Sequence, residues 1–396
     1  MPSRPIRGSV GVILVAAALV ATACQADESS GERAVSTSNA PHTDERGPAA
    51  LTRALEQAVA EGIPGAQAVV TDRGGTWSVS AGAGDRAAGT PFPDNSHYRI
   101  GSNTKTFVST VVLQLVAEGK VDLDAPIERY LPGVVHGNGS DGTRITVRNL
   151  LQHTSGIPDY LIDGDAPKPG QITPTVHNRW QRFTSDEELA IALALPAYFE
   201  PGTKFQYTNT NFLLAGMIVQ KVTGRSVAAE ITGRIIEPLA LHGTSFPGPD
   251  DTALPDPHPI AYADMDGTQV DITQQNTTWA GAAGAMISTG ADMNTFLTAL
   301  LTGELLPQPE LDELMRTIPT DKPDAEYGLG INRVRLSCGI DAWGHTGGLP
   351  GFRTLVRYAP SKDRAVTMAF NELPATPDAA AATLSAMDTA LCDSGE

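Results

Sequence analysis

Sequence patterns typical of β-strands occur near both ends of this chain, and helical patterns occupy its middle. On the N-terminal side, GAQAVVTDRGGTWSVSAG (65–82) predicts two strands joined by a tight turn. On the C-terminal side, EYGLGINRVRL, AWGHTGG, FRTLVRYAP and RAVTMAFNE (within 326–372) alternate in polarity or are continuously apolar. The segment between, about 121–300, contains helical stretches separated by loops rich in Pro and Gly. This arrangement predicts one sheet completed by both ends of the chain, with a helical domain inserted between them.

Residues 49–125 and 301–396 are therefore predicted to form an α/β domain, and residues 126–300 an inserted, mainly helical domain. A chain of 396 residues is long enough for both. Within the α/β domain, helices are expected to flank an antiparallel sheet. AALTRALEQAVAEG is amphipathic, and a last helix begins at Thr376 and Pro377, a capping residue followed by proline at the first helical position.

The N-terminus has the pattern of an export signal. In residues 1–23, Arg4 and Arg7 precede a short apolar stretch and a run of small residues. Two outcomes fit this pattern, ordinary signal-peptide cleavage or lipid attachment to Cys24. Residues 24–48 contain almost no large apolar side chains and predict a flexible tether. In both cases the mature protein is expected to be exported, either secreted or lipid-anchored on the outer face of the cytoplasmic membrane.

The cysteine count, the net charge and the absence of common metal-binding patterns limit the possible disulfides, partners and cofactors. Apart from Cys24, the chain has only Cys338 and Cys392, which are expected to form a disulfide in an oxidising compartment; two buried thiols are the alternative. The net charge of −17, without a basic stripe, excludes the electrostatic footprint of a nucleic-acid-binding protein. No HExxH or CxxC pattern predicts a metal site, no cofactor is expected, and a monomer is favoured.

Three short patterns carry the chemistry, and each occurs once. They are Ser-x-x-Lys at 102–105, Tyr-x-Asn at 207–209 and His-Thr-Gly at 345–347. The first stands at the head of the apolar run FVSTVVLQLVAEG, which predicts a helix. A serine and a lysine three positions apart on a helix share one face. A serine nucleophile needs a base, a charge that tunes this base, and donors for an oxyanion, and the three patterns together supply these groups.

The three patterns resemble the penicillin-recognising serine hydrolases, in the branch of class C-type β-lactamases and actinomycete D-alanyl-D-alanine carboxypeptidases. Further blocks extend the resemblance from about residue 50 to Cys392: YRIGSNTKTF, ITVRNLLQHTSGI, PGTKFQYTNTNFLLAGMIVQKVTG and YGLGINRVRLSCG. The resemblance implies a β-lactamase/DD-peptidase-like α/β fold, an antiparallel sheet flanked by helices with an inserted all-helical domain. It also implies an acyl-enzyme mechanism acting on a small peptide or β-lactam.

The resemblance and the chemistry together assign roles to the central residues. Ser102 is expected to attack a carbonyl group and to become acylated. Tyr207 is expected to take the serine proton, its phenol made more acidic by the nearby cation of Lys105. His345 is expected to add a part-time positive charge. Asn209 is expected to hold both Lys105 and a substrate amide through its two-sided hydrogen bonding.

Residues around these groups complete the predicted site. The resemblance implies that the backbone N–H groups of Ser102 and Gly348 form the oxyanion hole, and that Thr346 binds the substrate carboxylate or tail. Trp279 is expected either to wall the acyl pocket or to fill the core. His153, in LLQHTSG, is expected to be a structural residue of a turn.

Two positions depart from the family pattern, and one of them is Gly348, which stands where a hydroxyl residue is frequent in the family. Asn332 stands where carboxypeptidases of this type have an arginine that faces the substrate carboxylate. Arg333 and Arg335 are close in sequence, but on a strand both side chains would point to the face opposite that of Asn332. Acylation is expected to survive both changes, because neither touches Ser102, Lys105 or Tyr207. Recognition of a free D-alanine carboxylate is expected to be weaker.

The sequence thus predicts an exported serine acyl hydrolase, with D-alanyl-D-alanine carboxypeptidase activity on cell-wall peptides as the leading interpretation. Alternatives within the family are an esterase, a D-aminopeptidase or a β-lactamase. A penicillin-binding protein that is acylated with little turnover is a different class. A peptide-cyclising acyltransferase is disfavoured, because export separates the enzyme from carrier-bound peptides in the cytoplasm.

Overall fold

An antiparallel sheet of eight strands dominates the structure, a computed structural model that describes residues 48–161, 170–265 and 267–393. In chain order the strands are β1 (Gly65–Asp72), β2 (Gly75–Gly82), β3 (Tyr98–Arg99), β4 (His136–Gly137), β5 (Ser140–Asp141), β6 (Tyr262–Met265), β7 (Thr268–Asp271), β8 (Ile287–Ser288), β9 (Ile318–Pro319), β10 (Ala325–Tyr327), β11 (Asn332–Arg335), β12 (Asp341–Leu349), β13 (Phe352–Ala359) and β14 (Arg364–Phe370). The predicted export signal, Cys24 and nearly all of the predicted tether lie outside the described residues.

The helices surround this sheet and fill the middle of the chain. They are α1 (Pro48–Ala60), α2 (Thr104–Ala117), α3 (Val147–Leu151), α4 (Ser185–Leu193), α5 (Thr210–Thr223), α6 (Val227–Ile231), α7 (Gly281–Gly284), α8 (Gly290–Leu301), α9 (Gln308–Leu314) and α10 (Pro377–Cys392). In the part of the chain that the structure describes, no helix combines the length and apolar character needed to cross a membrane.

Strands from both ends of the chain pair with each other inside the large sheet. Its order is β2-β1-β14-β13-β12-β11-β10-β9, with β1 antiparallel to β14 and Ala66 opposite Phe370. The predicted antiparallel sheet, completed by both ends and flanked by helices, is confirmed. The exact division into an α/β domain and a helical domain stays a prediction.

The two faces of the sheet bury separate apolar clusters. On one face α1 and α10 pack against the strands through side chains such as Leu55, Met387 and Leu391. On the other face lies the larger cluster, where the rings of Phe107 in α2 and Phe296 in α8 stack with centroids 3.6 Å apart. Burying one such side chain contributes about 1.5–3 kcal/mol. These clusters hold α2, and the segment that precedes it, rigidly against the sheet.

The helix α2 starts two residues later than Ser102. Ser102 lies in a short 3₁₀ turn, Gly101–Asn103, and α2 begins at Thr104. The turn retains the three-residue spacing that brings Ser102 and Lys105 together, because side chains three apart also align in a 3₁₀ turn. At the other end, Gly119 adopts a φ of +69° beyond Ala117, as expected for a glycine that stops a helix.

A disulfide attaches the end of α10 to the loop between β11 and β12. Cys338 and Cys392 are bonded, with their Cα atoms 5.7 Å apart, and the predicted pairing is confirmed. Next to it, Asp388 of α10 accepts hydrogen bonds from the backbone N–H and the hydroxyl of Ser337. The disulfide and these bonds fix the position of α10 over one face of the sheet.

Candidate active site

Two glycines allow the Ser102 turn to contact strand β12 closely. Gly101 has a φ of +53°, and a Cβ there would lie 2.6 Å from the backbone nitrogen of Gly348. A Cβ on Gly347 would lie 2.0 Å from the carbonyl oxygen of Ile100. Only glycine fits such an approach of two backbones. The nucleophile therefore lies directly beside the strand segment that follows His345, where the second oxyanion donor was predicted.

Lys105 is fully buried and makes three polar contacts. Its Nζ lies 3.1 Å from Ser102 Oγ, 2.8 Å from Asn209 Oδ1 and 2.8 Å from the Ala283 carbonyl oxygen. Burial lowers the pKa of Lys105 to about 7, although the negative charge of Asp159 raises it. Near neutral pH, a substantial fraction of Lys105 is therefore uncharged and in contact with the serine hydroxyl.

Asp159 is a site residue that the sequence did not reveal. Its Oδ2 accepts hydrogen bonds from the backbone N–H of Asn209 at 2.8 Å and from Asn209 Nδ2 at 3.0 Å. These bonds turn Asn209 Oδ1 toward Lys105. Burial raises the pKa of Asp159 to about 6, so the group is mainly ionised at neutral pH. No motif marks this aspartate; a lone carboxylate in the apolar segment IPDYL was the only available signal.

Tyr207 lies beside the lysine, but its hydroxyl is not more acidic than usual. Lys105 Nζ is 4.8 Å from the centroid of the Tyr207 ring. Burial raises the pKa of Tyr207 well above 10, and a smaller effect of the Ser102 hydroxyl opposes it. Within the described structure, the Tyr207 hydroxyl is buried and forms no hydrogen bond of normal geometry. The expectation that Lys105 acidifies this phenol is wrong for the free protein, because burial, together with the negative charge of Asp159, raises the pKa of Tyr207.

His345 belongs to a chain of hydrogen bonds that fixes its protonation. Its Nδ1 lies 2.6 Å from the Thr346 carbonyl oxygen and must be the donor, because a carbonyl only accepts. Its Nε2, 3.0 Å from the Tyr327 hydroxyl, then accepts. The Tyr327 oxygen lies 3.2 Å from His153 Nε2, and His153 Nδ1 accepts from the backbone N–H of Thr208 at 3.2 Å. These hydrogen-bond partners therefore determine which ring nitrogen of His345 and of His153 carries the proton.

The expected part-time charge on His345 is not supported. Burial, and to a smaller extent the positive charge of Lys105, lower the pKa of His345 to about 3. The pKa of His153 is also held well below its usual range by burial. Both rings are neutral at physiological pH, so they orient their neighbours and add no charge. His153 is structural, as expected, and it reaches the site through Tyr327.

A cavity of about 690 Å³ opens on the nucleophile. Its lining includes Ser102, Tyr207, His345, Thr346 and Gly348, so the structure gathers residues from all three sequence patterns at one surface. Lys105 and Asn209 lie directly behind this surface. Among the described residues, no cluster of three or more His, Cys, Asp or Glu side chains is arranged to hold a metal ion.

Two of the predicted features lie elsewhere or differ in detail. Trp279 packs in the larger apolar cluster with 8% of its surface exposed, and it does not belong to the lining of the catalytic cavity. Of its two predicted places, the structure supports the core. Asn332 does line the cavity, whereas Arg333 pairs with Glu326 at 2.7 Å and Arg335 pairs with Asp341 at 2.9 Å.

Curated relatives include two kinds of protein that match part of the chain. Esterase EstB of Burkholderia gladioli is 31% identical over 234 residues, which are 57% of this chain and 59% of the esterase. Protein flp of Staphylococcus aureus (strain N315) is 28% identical over 236 residues, 59% of this chain and 45% of that protein. The chain thus spans less than two thirds of the length of these relatives.

Solved structures match nearly the whole described chain. A D-stereospecific amidohydrolase from Streptomyces sp. is 40% identical, with a TM-score of 0.78 over 88% of this chain and 99% of that one. A D-amino acid amidase from Ochrobactrum anthropi SV3, complexed with L-phenylalanine amide, is 26% identical, with a TM-score of 0.73 over 86% and 96%. A family model described as Beta-lactamase matches residues 51–391. On this match and on the arrangement around Ser102, the chain belongs to the Beta-lactamase family of serine hydrolases.

Proposed function

We propose that this protein hydrolyses amide bonds of D-amino acid residues through an acyl-enzyme on Ser102, with D-alanyl-D-alanine peptides as the leading substrates. The observation that carries the proposal is the 3.1 Å contact between Ser102 Oγ and the buried amine of Lys105. The 40% identity to a D-stereospecific amidohydrolase supports the D-configuration of the substrate. The sequence-based resemblance to carboxypeptidases supports a peptide as the substrate.

The contacts of Lys105 suit a neutral base. A neutral amine has two N–H groups and one lone pair. The two carbonyl oxygens at 2.8 Å, from Asn209 and Ala283, take the two N–H groups, and the lone pair then faces Ser102 Oγ. As Ser102 Oγ bonds to the substrate carbon, its proton moves to Lys105, and the carbonyl electron pair moves onto oxygen. The backbone N–H groups of Ser102 and Gly348 stabilise this oxyanion.

The tetrahedral intermediate then releases the amine. The bond from carbon to the leaving nitrogen breaks, the carbonyl re-forms, and the nitrogen takes back the proton held by Lys105. Tyr207 relays this proton, because the residue lines the cavity and its buried hydroxyl has no fixed hydrogen-bond partner within the described structure. Water repeats the sequence in the second half-reaction and releases the acid. The proposed role of Tyr207 changes from a phenolate base to a relay that stays neutral overall.

A second candidate is ester hydrolysis, which the partial similarity to Esterase EstB supports. The same acyl-enzyme serves both reactions, but an alkoxide leaves without the protonation that an amine requires. Parallel measurement of matched D-alanyl amides and esters separates the two. A slow deacylation would instead indicate a penicillin-binding protein with little turnover.

The central test follows the acyl-enzyme by intact mass. Incubation with penicillin or a D-alanyl ester is expected to add one acyl group to the wild type and to a control variant, Ser361→Ala, which changes an exposed serine. Ser102→Ala is expected to add none and to keep its fold, because one small side chain replaces another. An unchanged adduct in Ser102→Ala would remove the whole mechanism.

Export, the monomeric state and attachment to the membrane through a lipid on Cys24 belong to the proposal as well. Their support is the sequence pattern alone, and residue 24 lies outside the described part of the chain. Membrane fractionation of the wild type and of Cys24→Ala tests the lipid attachment. If Cys24 carries a lipid, the variant should lose the membrane-bound fraction. Light scattering of the purified protein tests the monomer.

A further inference from the structure

A cleft of about 290 Å³ lies outside the catalytic cavity, beside an exposed tryptophan. Trp180 has 51% of its surface exposed, whereas tryptophan side chains are well buried on average. This Trp180 cleft is lined by side chains from residues 179–180, 253–260 and 271–274. Leu254 and Ile260 contribute apolar surface, while Asp271 and Gln274 contribute polar groups. The proposed hydrolysis at Ser102 gives none of these residues a task.

The indole of Trp180 is held in one position although it is exposed. The Arg179 guanidinium carbon lies 4.8 Å from the centroid of the Trp180 ring, and Arg179 Nη1 donates a hydrogen bond to the carbonyl oxygen of Asp271 at 2.7 Å. The carbonyl oxygen of Arg179 accepts from the backbone N–H of Asn276 at 2.7 Å. With Arg179 against one face, the exposed surface of the indole lies on its other face and its edge. An aromatic surface that is fixed before a ligand arrives loses little entropy on binding.

Polar groups around the indole have hydrogen-bonding capacity to spare. The side chain of Gln274 is exposed and forms no hydrogen bond within the described structure. One carboxylate oxygen of Asp271 accepts from the backbone N–H of Thr273 at 2.8 Å, and the other has no partner among the described residues. His258 Nδ1 must donate to the Pro259 carbonyl oxygen at 2.9 Å, because a carbonyl only accepts, so Nε2 remains an acceptor in the neutral ring.

These features define the chemistry of a ligand that fits the Trp180 cleft. Arg179 and Asp271 are fixed charges of opposite sign, so the lining favours neither an anion nor a cation. A purely apolar ligand would leave the amide of Gln274 and the carboxylate of Asp271 without partners. A pyranose ring meets both demands, because its C–H groups pack on the electron-rich indole face while its hydroxyl groups reach the polar rim. The amide of Gln274 also matches an acetamido group, since each has a donor and an acceptor.

The Trp180 cleft is built on a segment that also supports the catalytic centre. Gln275, the next residue after the cleft lining, donates a hydrogen bond from Nε2 to the carbonyl oxygen of Pro350 at 2.8 Å. Pro350 stands two residues beyond Gly348, a predicted oxyanion donor. Farther along the same segment, the backbone N–H of Thr278 donates to Asn276 Oδ1 at 3.0 Å, just before α7, whose backbone contacts the catalytic lysine. One extended substrate can therefore occupy the cleft and the catalytic cavity together.

We propose that the Trp180 cleft binds an N-acetylated amino sugar, so that the substrate class is D-amino acid peptides attached to a glycan. The choice of such a substrate rests on the proposed function, whereas sugar binding at Trp180 does not. Peptides of bacterial cell walls are attached to glycan strands of this chemistry, so a sugar site would select the natural substrate over free peptides. Binding energy from a remote part of a substrate raises kcat/KM when it is retained in the transition state.

The first arm of the test measures binding alone, in full-length Ser102→Ala protein that cannot turn over. The probe is the disaccharide of N-acetylglucosamine, titrated by calorimetry. We expect saturable binding, and a loss of affinity of about 10-fold or more when Trp180→Ala is added, because the packing surface is removed. Trp180→Phe should recover part of this loss, since an aromatic face remains. Trp77→Ala, which changes a half-buried tryptophan of β2 outside the cleft, is the matched control and should bind normally.

The second arm measures hydrolysis. The kcat/KM of a peptide ending in D-alanyl-D-alanine is compared with that of the same peptide attached to a disaccharide of N-acetylated amino sugars. We expect the attached disaccharide to raise kcat/KM about 10-fold in the wild type. Trp180→Ala and Gln274→Ala should reduce this gain while keeping the free peptide within about twofold. Hydrolysis of the free peptide also reports that both variants are folded.

The outcomes separate the sugar site from the proposed function. Absence of saturable binding, or equal affinity in Trp180→Ala, would overturn the sugar site. Binding without a gain in kcat/KM would overturn the glycan-attached substrate. If the wild type hydrolyses neither peptide and Ser102 is not acylated, the proposed function fails, and the calorimetric arm still decides whether the cleft binds a sugar.

Discussion

The two ends of the catalytic cavity satisfy their polar groups in opposite ways. At the reaction end, around Ser102 and Lys105, the buried lysine has three partners and the supporting Asn209 is held by Asp159. At the binding end, where β13 and α10 line the cavity, the buried Arg357 and the half-buried Arg353 have no anionic partner in the described chain. A group with internal partners is positioned before the substrate arrives, whereas a group without them gains its partner from the substrate.

This difference has an energetic consequence. The carboxylate of Asp159 and two carbonyl oxygens partly offset the desolvation of Lys105, so the reaction end is stable without a ligand. Nothing comparable offsets the burial of Arg357. An anionic ligand therefore contributes more free energy at the binding end than at the reaction end. Changes at the reaction end should act mainly on turnover, and changes at the binding end should act mainly on substrate preference.

The largest expected effect is that of Tyr207→Phe. The variant keeps the buried ring and removes the hydroxyl that relays the proton, so we expect a loss of about 10² to 10⁴ in kcat on amides, the usual range of general acid–base catalysis. Esters with good leaving groups should lose less, because an alkoxide leaves without a proton. Steady-state rates on a matched amide and ester measure this. A near-normal amide rate would assign the whole proton transfer to Lys105.

The pH dependence tests the electrostatics of the reaction end. A base must be deprotonated to act, and the pKa of Lys105 is about 7, so kcat/KM should fall about tenfold per pH unit well below pH 7 and level off above it. Asp159 raises the pKa of Lys105. Asp159→Asn should therefore move the midpoint to lower pH, and it should lower the plateau because Asn209 loses an ionised acceptor.

The matched control for this experiment is Asp321→Asn, a carboxylate of the cavity lining that does not contact Asn209. It should leave the midpoint in place. A rate that continues to rise above pH 9 in the wild type would instead indicate that the Tyr207 phenolate is the base. In that case the sequence-based interpretation would be right, and our assignment to neutral Lys105 would be wrong.

The reaction end could be predicted from sequence much further than the binding end. The strand patterns at both ends of the chain predicted the sheet, and Ser102, Lys105, Tyr207 and Asn209 stand in short, local patterns. Asp159 stands in no pattern, and its effect depends on folding over the start of α5. The pKa values of Tyr207 and the histidines depend on burial, which motifs do not report.

The binding end depends on strand pairing, which a single sequence does not specify. In FRTLVRYAP, Arg353 and Arg357 are four residues apart in a strand that is otherwise mainly apolar. Alternation places them on one face, and this signal was available. The sequence did not reveal what lies against that face, because this depends on the register of β12 against β13 and on the position of α10. The prediction that Asn332 weakens carboxylate binding considered only one strand.

Removing the disulfide should affect the binding end selectively. Cys338→Ser with Cys392→Ser releases α10, which covers that part of the cavity, and opens a loop closed across 54 residues. We expect the free energy of unfolding to fall by about 4 kcal/mol in the loop-entropy description. Acylation of Ser102 by a small neutral ester should stay near normal, while the KM for a D-alanyl-D-alanine peptide with a free carboxylate (the acid peptide) rises a few-fold. Equal effects on both substrates would mean that α10 supports the whole cavity.

The smallest expected effect is that of Asn332→Arg, which restores the arginine of related carboxypeptidases. Considered from the sequence, this variant should gain activity on D-alanyl-D-alanine peptides. The structure changes that expectation, because two guanidinium groups already face the cavity and a third would add like charge beside them. The Asn332 oxygen is buried without a hydrogen-bond partner, so the wild-type side chain leaves room for polar contact but brings no charge.

We therefore expect Asn332→Arg to change kcat/KM on the acid peptide by less than about threefold, within the scatter of weak charge pairs. The same substitution in the Arg353→Gln background should restore a larger part of the lost activity, because the new cation then replaces a missing one. This non-additivity is the decisive measurement, since residues that share one ligand do not act independently. A gain of tenfold or more in the otherwise wild-type protein would show that the carboxylate binds beside residue 332, and that the two arginines of β13 serve another purpose.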